Sequence, residues 1–309
     1  MLVYLIQRLL LALVTLWIVT LLSFAIVQIP PNQAARALPG RHLPVQVQYV
    51  NWLLSVSQGN FGTSNLWGKP ATVVIRERMV LTVVLGLAAL AITWIVALPV
   101  GVFSAMRPHS PFDVVGRVFG FVGMGMPNFL AALALMYFAW NLFGLSPGGL
   151  FSPDFRDAPW SLNRVLDLLV HLPMPAMVLG LGGTAALIRL MRANLLDEMN
   201  KPYVLAARAK GLSETHRTLK YPVRVALNPF ISSLGFIFPD IISGTVAVSM
   251  VLSLPTLGPV LMASIYAQDM YLVGTIILLL SALTVVGTAL SDILLQWIDP
   301  RIRVANEAG

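Results

Sequence analysis

Two segments of this chain resemble sequence motifs of enzyme active sites. One has the wrong spacing, and the other lies in the wrong structural setting. The run from Gly62 to Lys69 is near the phosphate-binding pattern GxxxxGK[ST], in which backbone amides cradle phosphates and a hydroxyl holds magnesium. It carries one residue too many, and Pro70 stands where the hydroxyl belongs. Gly144 to Gly148 fits the hydrolase pattern GxSxG, but that motif needs a preceding strand, and the flanking apolar runs favour a turn between helices. We therefore expect neither an ATP site nor catalytic residues here.

Metal and thiol chemistry are also disfavoured. The chain has no cysteine, which excludes disulfides and thiolate ligands. A shared zinc site is not expected, because the four histidines lie in different loops: His42, His109, His171 and His216. The sequence predicts no metal and no cofactor bound by this chain.

Two carboxylates lie inside apolar runs. Asp240 directly follows Pro239 near the centre of such a run, where an Asp costs about 2.5 to 3.5 kcal/mol on insertion scales. It either lines a translocation path and meets cationic substrate groups, or caps backbone freed by Pro239 or pairs with a basic residue of another subunit. Asp292 lies nearer the end of its run, which favours a structural ion pair.

A cationic stretch from Arg192 to Pro229 separates two apolar runs. Pro202 breaks any helix entering from the first run, and a new short helix fits Tyr203 to Lys210. It ends at Gly211, a residue suited to the left-handed position after a helix. Such an alanine-rich helix can enter a groove on a partner protein or lie among lipid headgroups, and physical chemistry alone leaves both open.

The bulk composition is that of an integral membrane protein. Hydrophobic residues make up 57% of the 309 residues and charged residues 11%, with a mean hydropathy of +0.81. The net charge of +7 does not indicate nucleic-acid binding, because the basic residues fall in short loops beside apolar runs, where they meet anionic headgroups.

Six apolar runs are long enough to cross a membrane as helices. We predict an all-α bundle forming a single domain over 1–309, with spans at about 9–29, 80–103, 118–143, 173–190, 230–252 and 272–297. The first run exceeds the apolar length of a signal peptide, so we expect an uncleaved span. Val47 to Val56 is expected to be an interfacial helix, with Tyr49 and Trp52 as anchors.

The basic residues set the orientation. About 13 of the 20 Lys and Arg lie on the side of the termini and of loop 193–229, against about 7 on the other side. Both termini and loop 193–229 are therefore predicted to be cytoplasmic, and segment 32–78 periplasmic.

The segment Tyr203 to Leu212, YVLAARAKGL, resembles the coupling-helix signature of binding-protein-dependent ATP-binding-cassette importers, most closely that of the dipeptide/oligopeptide/nickel permeases. Further similar segments follow in the family's order: the opening MLVYLIQRLLLALVTLWIV, Tyr49–Leu53, Gly59–Ser64, Arg189 with Arg192, Leu254–Gly258, Gln268–Asp269 and Asp299–Arg303. Met250 and Thr256 depart from the family's usual Glu and Gly.

This resemblance implies the type I importer permease fold in a bacterial cytoplasmic membrane. The implied partners are a second permease, two ATPase subunits that bind ATP and Mg²⁺, an extracytoplasmic substrate-binding protein and membrane lipid. The residues implied to contact the ATPases are Tyr203, Ala206, Ala207, Arg208, Lys210, Gly211 and Leu212. Asp240, Met250 and Pro255 are the candidates for the translocation path.

The implied substrates are di- or oligopeptides. Oligosaccharides, opines and nickel chelates are the alternatives within the importer class. An ion-coupled secondary transporter, or a membrane scaffold or enzyme subunit, are the alternatives outside it. A secondary transporter is expected to show repeated halves with broken helices, and the sequence shows no convincing internal repeat.

Overall fold

The computed structural model describes residues 2–28, 43–143, 148–232 and 234–298, and the regular elements of this part of the chain are α-helices and one short 3-10 helix, Pro153–Phe155. Its helices, in order, are α1 Leu2–Gln28, α2 Val45–Ser57, α3 Ala71–Met106, α4 Pro111–Gly125, α5 Asn128–Phe143, α6 Leu162–His171, α7 Pro173–Met199, α8 Pro202–Ala209, α9 Glu214–Lys220, α10 Pro222–Ser232, α11 Leu234–Val251, α12 Leu257–Tyr266 and α13 Met270–Ile298.

Four helices are long and apolar enough to cross a membrane: α1, α3, α7 and α13. They correspond to the first, second, fourth and sixth predicted spans. The predicted third span corresponds to two helices, α4 and α5, whose axes differ by 116°. Met126 between them has extended backbone (ψ 121°), as the residue before a proline should. Pro127 therefore ends one helix and redirects the next, instead of producing the mild kink that the sequence suggested.

The predicted fifth span, 230–252, overlaps the described helices α10 and α11, and residue 233 lies outside the described residues. The described apolar part of α11, Asp240–Val251, is shorter than a full crossing. By length and composition the described residues contain four spans, or five if the bent α4–α5 pair counts as one. The six spans predicted from the sequence stay a prediction.

The parallel helices α3 and α7 form the centre of the bundle, with the most extensive contact between any two helices described. Glycine permits this approach at two points. A methyl group on Gly101 would lie 2.7 Å from Met191 Cβ, and one on Gly180 would lie 2.6 Å from Thr93 Oγ1. Larger residues at either glycine would force the helices apart, so the pair packs as one unit.

The end of the bundle opposite to Met199 contains a second cluster of buried residues. This cluster joins the start of α3 to α12 and α13 through Ala71, Val74, Ile75, Leu257, Val260, Leu272 and Ile276. The fully buried Asp269 fixes this end. Its Oδ2 accepts hydrogen bonds from Ser64 Oγ at 2.5 Å and from the Leu66 amide at 3.1 Å, and its Oδ1 accepts one from the Leu272 amide at the start of α13. We call this set the Asp269 clamp.

Helix α2 lies where the sequence predicts a helix, but its aromatic residues pack on α1. The rings of Tyr49 and Trp52 lie 5.4 Å and 5.7 Å from that of Phe24, and the Tyr49 hydroxyl lies 2.7 Å from Thr20 Oγ1. At the other end of α1, Arg8 Nε lies 3.3 Å from Asp292 Oδ2, which confirms the predicted ion pair of Asp292.

Candidate coupling segment and translocation cavity

Helix α7 continues beyond the predicted end of its span at residue 190 and stops only at Met199. After Asn200 and Lys201, helix α8 begins with Pro202 in its first turn, where a missing amide donor costs nothing. The short helix predicted at Tyr203 to Lys210 is therefore present as Pro202–Ala209. Gly211 follows it with a positive φ of 77°, which confirms the predicted left-handed position. We call residues 201–212 the coupling segment.

The coupling segment packs inward on one narrow face. Val204 and Ala207, three residues apart, are buried, and α8 contacts α9. The Tyr203 hydroxyl donates a hydrogen bond of 2.5 Å to Glu198 Oε2 in the last turn of α7. The segment is thus attached to α7 by backbone continuity and by this side-chain contact.

The outer face holds most of the residues predicted to contact a partner. Tyr203, Ala206, Arg208, Lys210 and Gly211 are exposed, and Leu212 is half-buried. Ala207 differs from the others because it lies on the inward face. The sequence could not separate Ala206 from Ala207, since both are small and only packing decides which one faces solvent.

A buried ion pair lies between α7 and the turn that starts α4, and sequence reasoning missed it. Arg192 donates from Nε to Asp113 Oδ1 at 2.6 Å and from a terminal nitrogen to Oδ2 at 3.0 Å. Asp113 is fully buried and also accepts from Ser104 Oγ at 2.7 Å and the His109 amide at 3.0 Å. The fourfold hydrogen bonding satisfies the buried carboxylate and fixes α7 to α4 seven residues before α7 ends.

Asp240 lies on the wall of a cavity of about 320 Å³ between α5, α7 and α11. Its neighbours in the wall include Asn128, Ser243 and the pair Gly182 and Gly183 of α7. The Asp240 side chain is exposed, and no ion pair or hydrogen bond of its side chain is formed with any residue that the structure describes. Within the described part of this chain, neither a basic partner nor a capping contact therefore accounts for the carboxylate.

The other two candidates for the translocation path lie outside this cavity. Met250 is 46% exposed on α11, nearly three helical turns or roughly 15 Å beyond Asp240. Pro255 lies in the turn before α12 and is half-buried. The structure therefore does not bring these three residues together at one site.

The turn that contains Pro255 is fixed to the bundle by hydroxyls. Thr256, fully buried, lies with its Oγ1 2.7 Å from Ser249 Oγ, and the Leu257 amide donates to Thr82 Oγ1 of α3 at 3.0 Å. Thr256 thus supplies a side-chain hydrogen bond that a glycine at this position could not make.

Comparison with known proteins identifies the family. A family described as "Binding-protein-dependent transport system inner membrane component" matches residues 97–304. The oligopeptide transport system permease protein AppB of Bacillus subtilis is 32% identical, with 97% of this chain and 98% of the relative covered. A putative peptide permease protein of Brucella suis is 31% identical (98% and 100% covered), and the oligopeptide transport system permease protein OppB of Haemophilus influenzae is 29% identical (98% and 100% covered).

Proposed function

The chain belongs to the family of inner-membrane components of binding-protein-dependent transport systems, and from that premise we propose that it is the peptide-translocating permease of an ATP-driven importer. Its partners are a second permease of similar fold, two ATPase subunits that bind ATP and Mg²⁺, and an extracytoplasmic substrate-binding protein. The single observation that carries the proposal is the continuity of α7, which runs from the wall of the Asp240 cavity to the coupling segment.

The proposed mechanism uses this continuity. Closure of the ATPases on ATP moves the coupling segment, whose exposed face holds Ala206, Arg208 and Lys210. Because α7 is joined to the coupling segment at one end and lines the cavity at Gly182, the movement changes the cavity walls. The two permeases then pass from an inward-open to an outward-open state and admit substrate from the binding protein.

The proposed substrates are di- or oligopeptides, the cargo that the names of the relatives give for those proteins. A peptide carries a cationic amino terminus, and Asp240 offers a carboxylate on the cavity wall that has no ion-pair partner among the described residues. We assign to Asp240 the role of meeting that cation during passage.

The proposed topology has six crossings, with the bent pair α4–α5 as the third and residues 230–252 as the fifth. Both termini and the coupling segment face the cytoplasm, and segment 32–78 faces the extracytoplasmic side, in agreement with the bias of basic residues.

Cysteine cross-linking tests the proposal. Because the chain has no cysteine, an introduced cysteine is its only site of thiol cross-linking. Ala206→Cys in the coupling segment should cross-link through a short bismaleimide, which joins two thiols, to a co-expressed ATPase subunit that carries one introduced surface cysteine, and ATP should change the yield. Ala267→Cys is the matched control, an exposed alanine at the opposite end of the bundle, and should give no such product. The proposal is wrong if both variants cross-link equally, or if the purified chain moves peptide down an ion gradient with no ATPase present.

A further inference from the structure

A second cavity, of about 310 Å³, lies between α4 and α7 near the end of α7 that leads to the coupling segment. Three arginines line it: Arg117, Arg189 and Arg192. The carboxylate of Asp113 lies beneath them, fully buried and bound by Arg192, with Arg117 Nε at 3.6 Å. Three guanidinium groups against one carboxylate leave a local excess of positive charge, because arginine stays protonated in proteins.

Two of these arginines have their side chains available to a ligand. Arg117 has a side chain that is 43% exposed. Arg189 is also exposed and has no carboxylate partner among the residues described by the structure. The ion-paired Arg192 forms the floor, so the open side of the cavity presents two forked donors suited to phosphate oxygens.

The cavity continues into an apolar surface on α4. Phe121 lines the cavity and is 73% exposed, and Val118 and Val122 beside it are 57% and 51% exposed. In a membrane-spanning chain, such a face meets acyl chains or another protein. The site therefore combines cationic donors at its polar end with an apolar wall along the adjoining helix, which matches a phospholipid better than a free anion.

We propose that this cavity binds the headgroup of an anionic phospholipid, with its phosphate held by Arg117 and Arg189 and its acyl chains lying along Val118, Phe121 and Val122. This inference rests on the proposed topology, which places the cavity at the cytoplasmic boundary of the bilayer. The bound lipid bridges α4 and α7 beside the Arg192–Asp113 pair. Lipid composition therefore affects how firmly α7 is held near the coupling segment.

The test is native mass spectrometry on the delipidated full-length chain, titrated with phosphatidylglycerol or phosphatidylcholine. We expect the wild type to retain one phosphatidylglycerol with at least tenfold preference. The variants Arg189→Gln and Arg117→Gln/Arg189→Gln should reduce that preference at least tenfold. Arg107→Gln is the matched control, because it removes the same charge from an exposed position outside the cavity.

Three results would overturn the inference: equal retention in the double variant and Arg107→Gln, displacement of the lipid by millimolar inorganic phosphate, or no preference over phosphatidylcholine. Arg189→Gln provides the test even if loss of Arg117 impairs folding, because Arg189 has no acidic partner in the described chain. Lipid binding needs no ATPase, so failure here leaves the cross-linking result at Ala206 unchanged, and failure of that cross-link leaves the lipid measurement valid.

Discussion

The two ends of the bundle differ in how fully this chain buries them and satisfies their polar groups. At one end the Asp269 clamp satisfies a buried carboxylate with donors from distant parts of the same chain. At the other end the coupling segment buries only Val204 and Ala207 and leaves its remaining small and basic residues exposed. The clamp end is completed within this chain, whereas the coupling end presents a surface that we propose a partner completes.

The largest effect is expected at the clamp. Asp269→Ala removes the carboxylate that accepts hydrogen bonds from the Ser64 hydroxyl and the Leu66 amide. These two donors then lose their buried acceptor. We expect a loss of about 3 kcal/mol in stability, measured as a lower unfolding temperature of the purified chain. Ser64→Ala, which removes only one donor, should lose less. Equal stability of Asp269→Ala and wild type would contradict the contrast between the ends.

A bulky residue at the coupling segment should reduce transport and leave the stability of the chain nearly unchanged. Ala206→Trp adds an indole to an exposed position, so the unfolding temperature should stay close to that of the wild type. Uptake should fall by more than about tenfold if the ring prevents docking, equivalent to about 1.4 kcal/mol. Ala267→Trp is the control for bulk at the opposite end. Normal uptake by Ala206→Trp would exclude close docking of this face.

A smaller effect is expected in the cavity. Asp240→Asn keeps the shape of the side chain but removes its charge, and its carboxylate makes no ion pair in the described chain. Uptake of peptides with a free amino terminus should fall by about tenfold or less, because Asp240 is exposed and solvent weakens its attraction to a cation. Assembly should be intact, and Ser243→Ala in the same wall serves as the control. Unchanged transport would assign Asp240 a structural role.

Substitution at Gly211 should have a local effect. Its φ of 77° is costly for a residue with a Cβ, so Gly211→Ala should destabilise the end of α8 by about 1 kcal/mol. The expected readout is faster amide hydrogen exchange at the end of α8, with the exchange of α3 unchanged. Gly125→Ala offers a control, since Gly125 has no neighbour within 4 Å of an added methyl group and no left-handed backbone.

The smallest effect is expected from pH at the segment before α7. Burial acts to raise the pKa of Asp167, but hydrogen bonds from the Ser152 hydroxyl and amide outweigh it and hold the pKa below its ordinary value. A lowered pKa in the folded state stabilises the protein above the unfolded pKa of about 4, and this contribution is lost as pH falls below that value. Asp167→Asn should weaken the drop in unfolding temperature on acidification, and an identical drop would refute this role.

The sequence predicted those features that depend on local composition. Long apolar runs predicted α1, α3, α7 and α13, and Pro202 with Gly211 marked the limits of α8 because each acts on its own backbone. The bend at Met126 was underestimated because composition shows where a helix is interrupted but not its new direction.

The missed features depend on contacts between distant residues. Asp113 and Arg192 are 79 positions apart, and Ser64 and Asp269 are 205 apart, so no periodicity relates them. Gly59–Ser64 and Gln268–Asp269 were noted only as separate family-like segments. The structure shows that two of their residues form one hydrogen bond.

Because α7 contacts α3 closely at both Gly180 and Gly101 and is bound to α4 by the Arg192–Asp113 pair, the three helices should move together as one rigid arm. From the close contact at Gly180 to Met199, the arm is roughly 28 Å long at 1.5 Å per residue. A tilt of this arm by about 10° about the level of Gly180 would carry the far end roughly 5 Å, close to one helical turn. Gly182 and Gly183, near that level, would travel far less, so a large displacement of the coupling segment would produce only a small displacement of the Asp240 cavity wall.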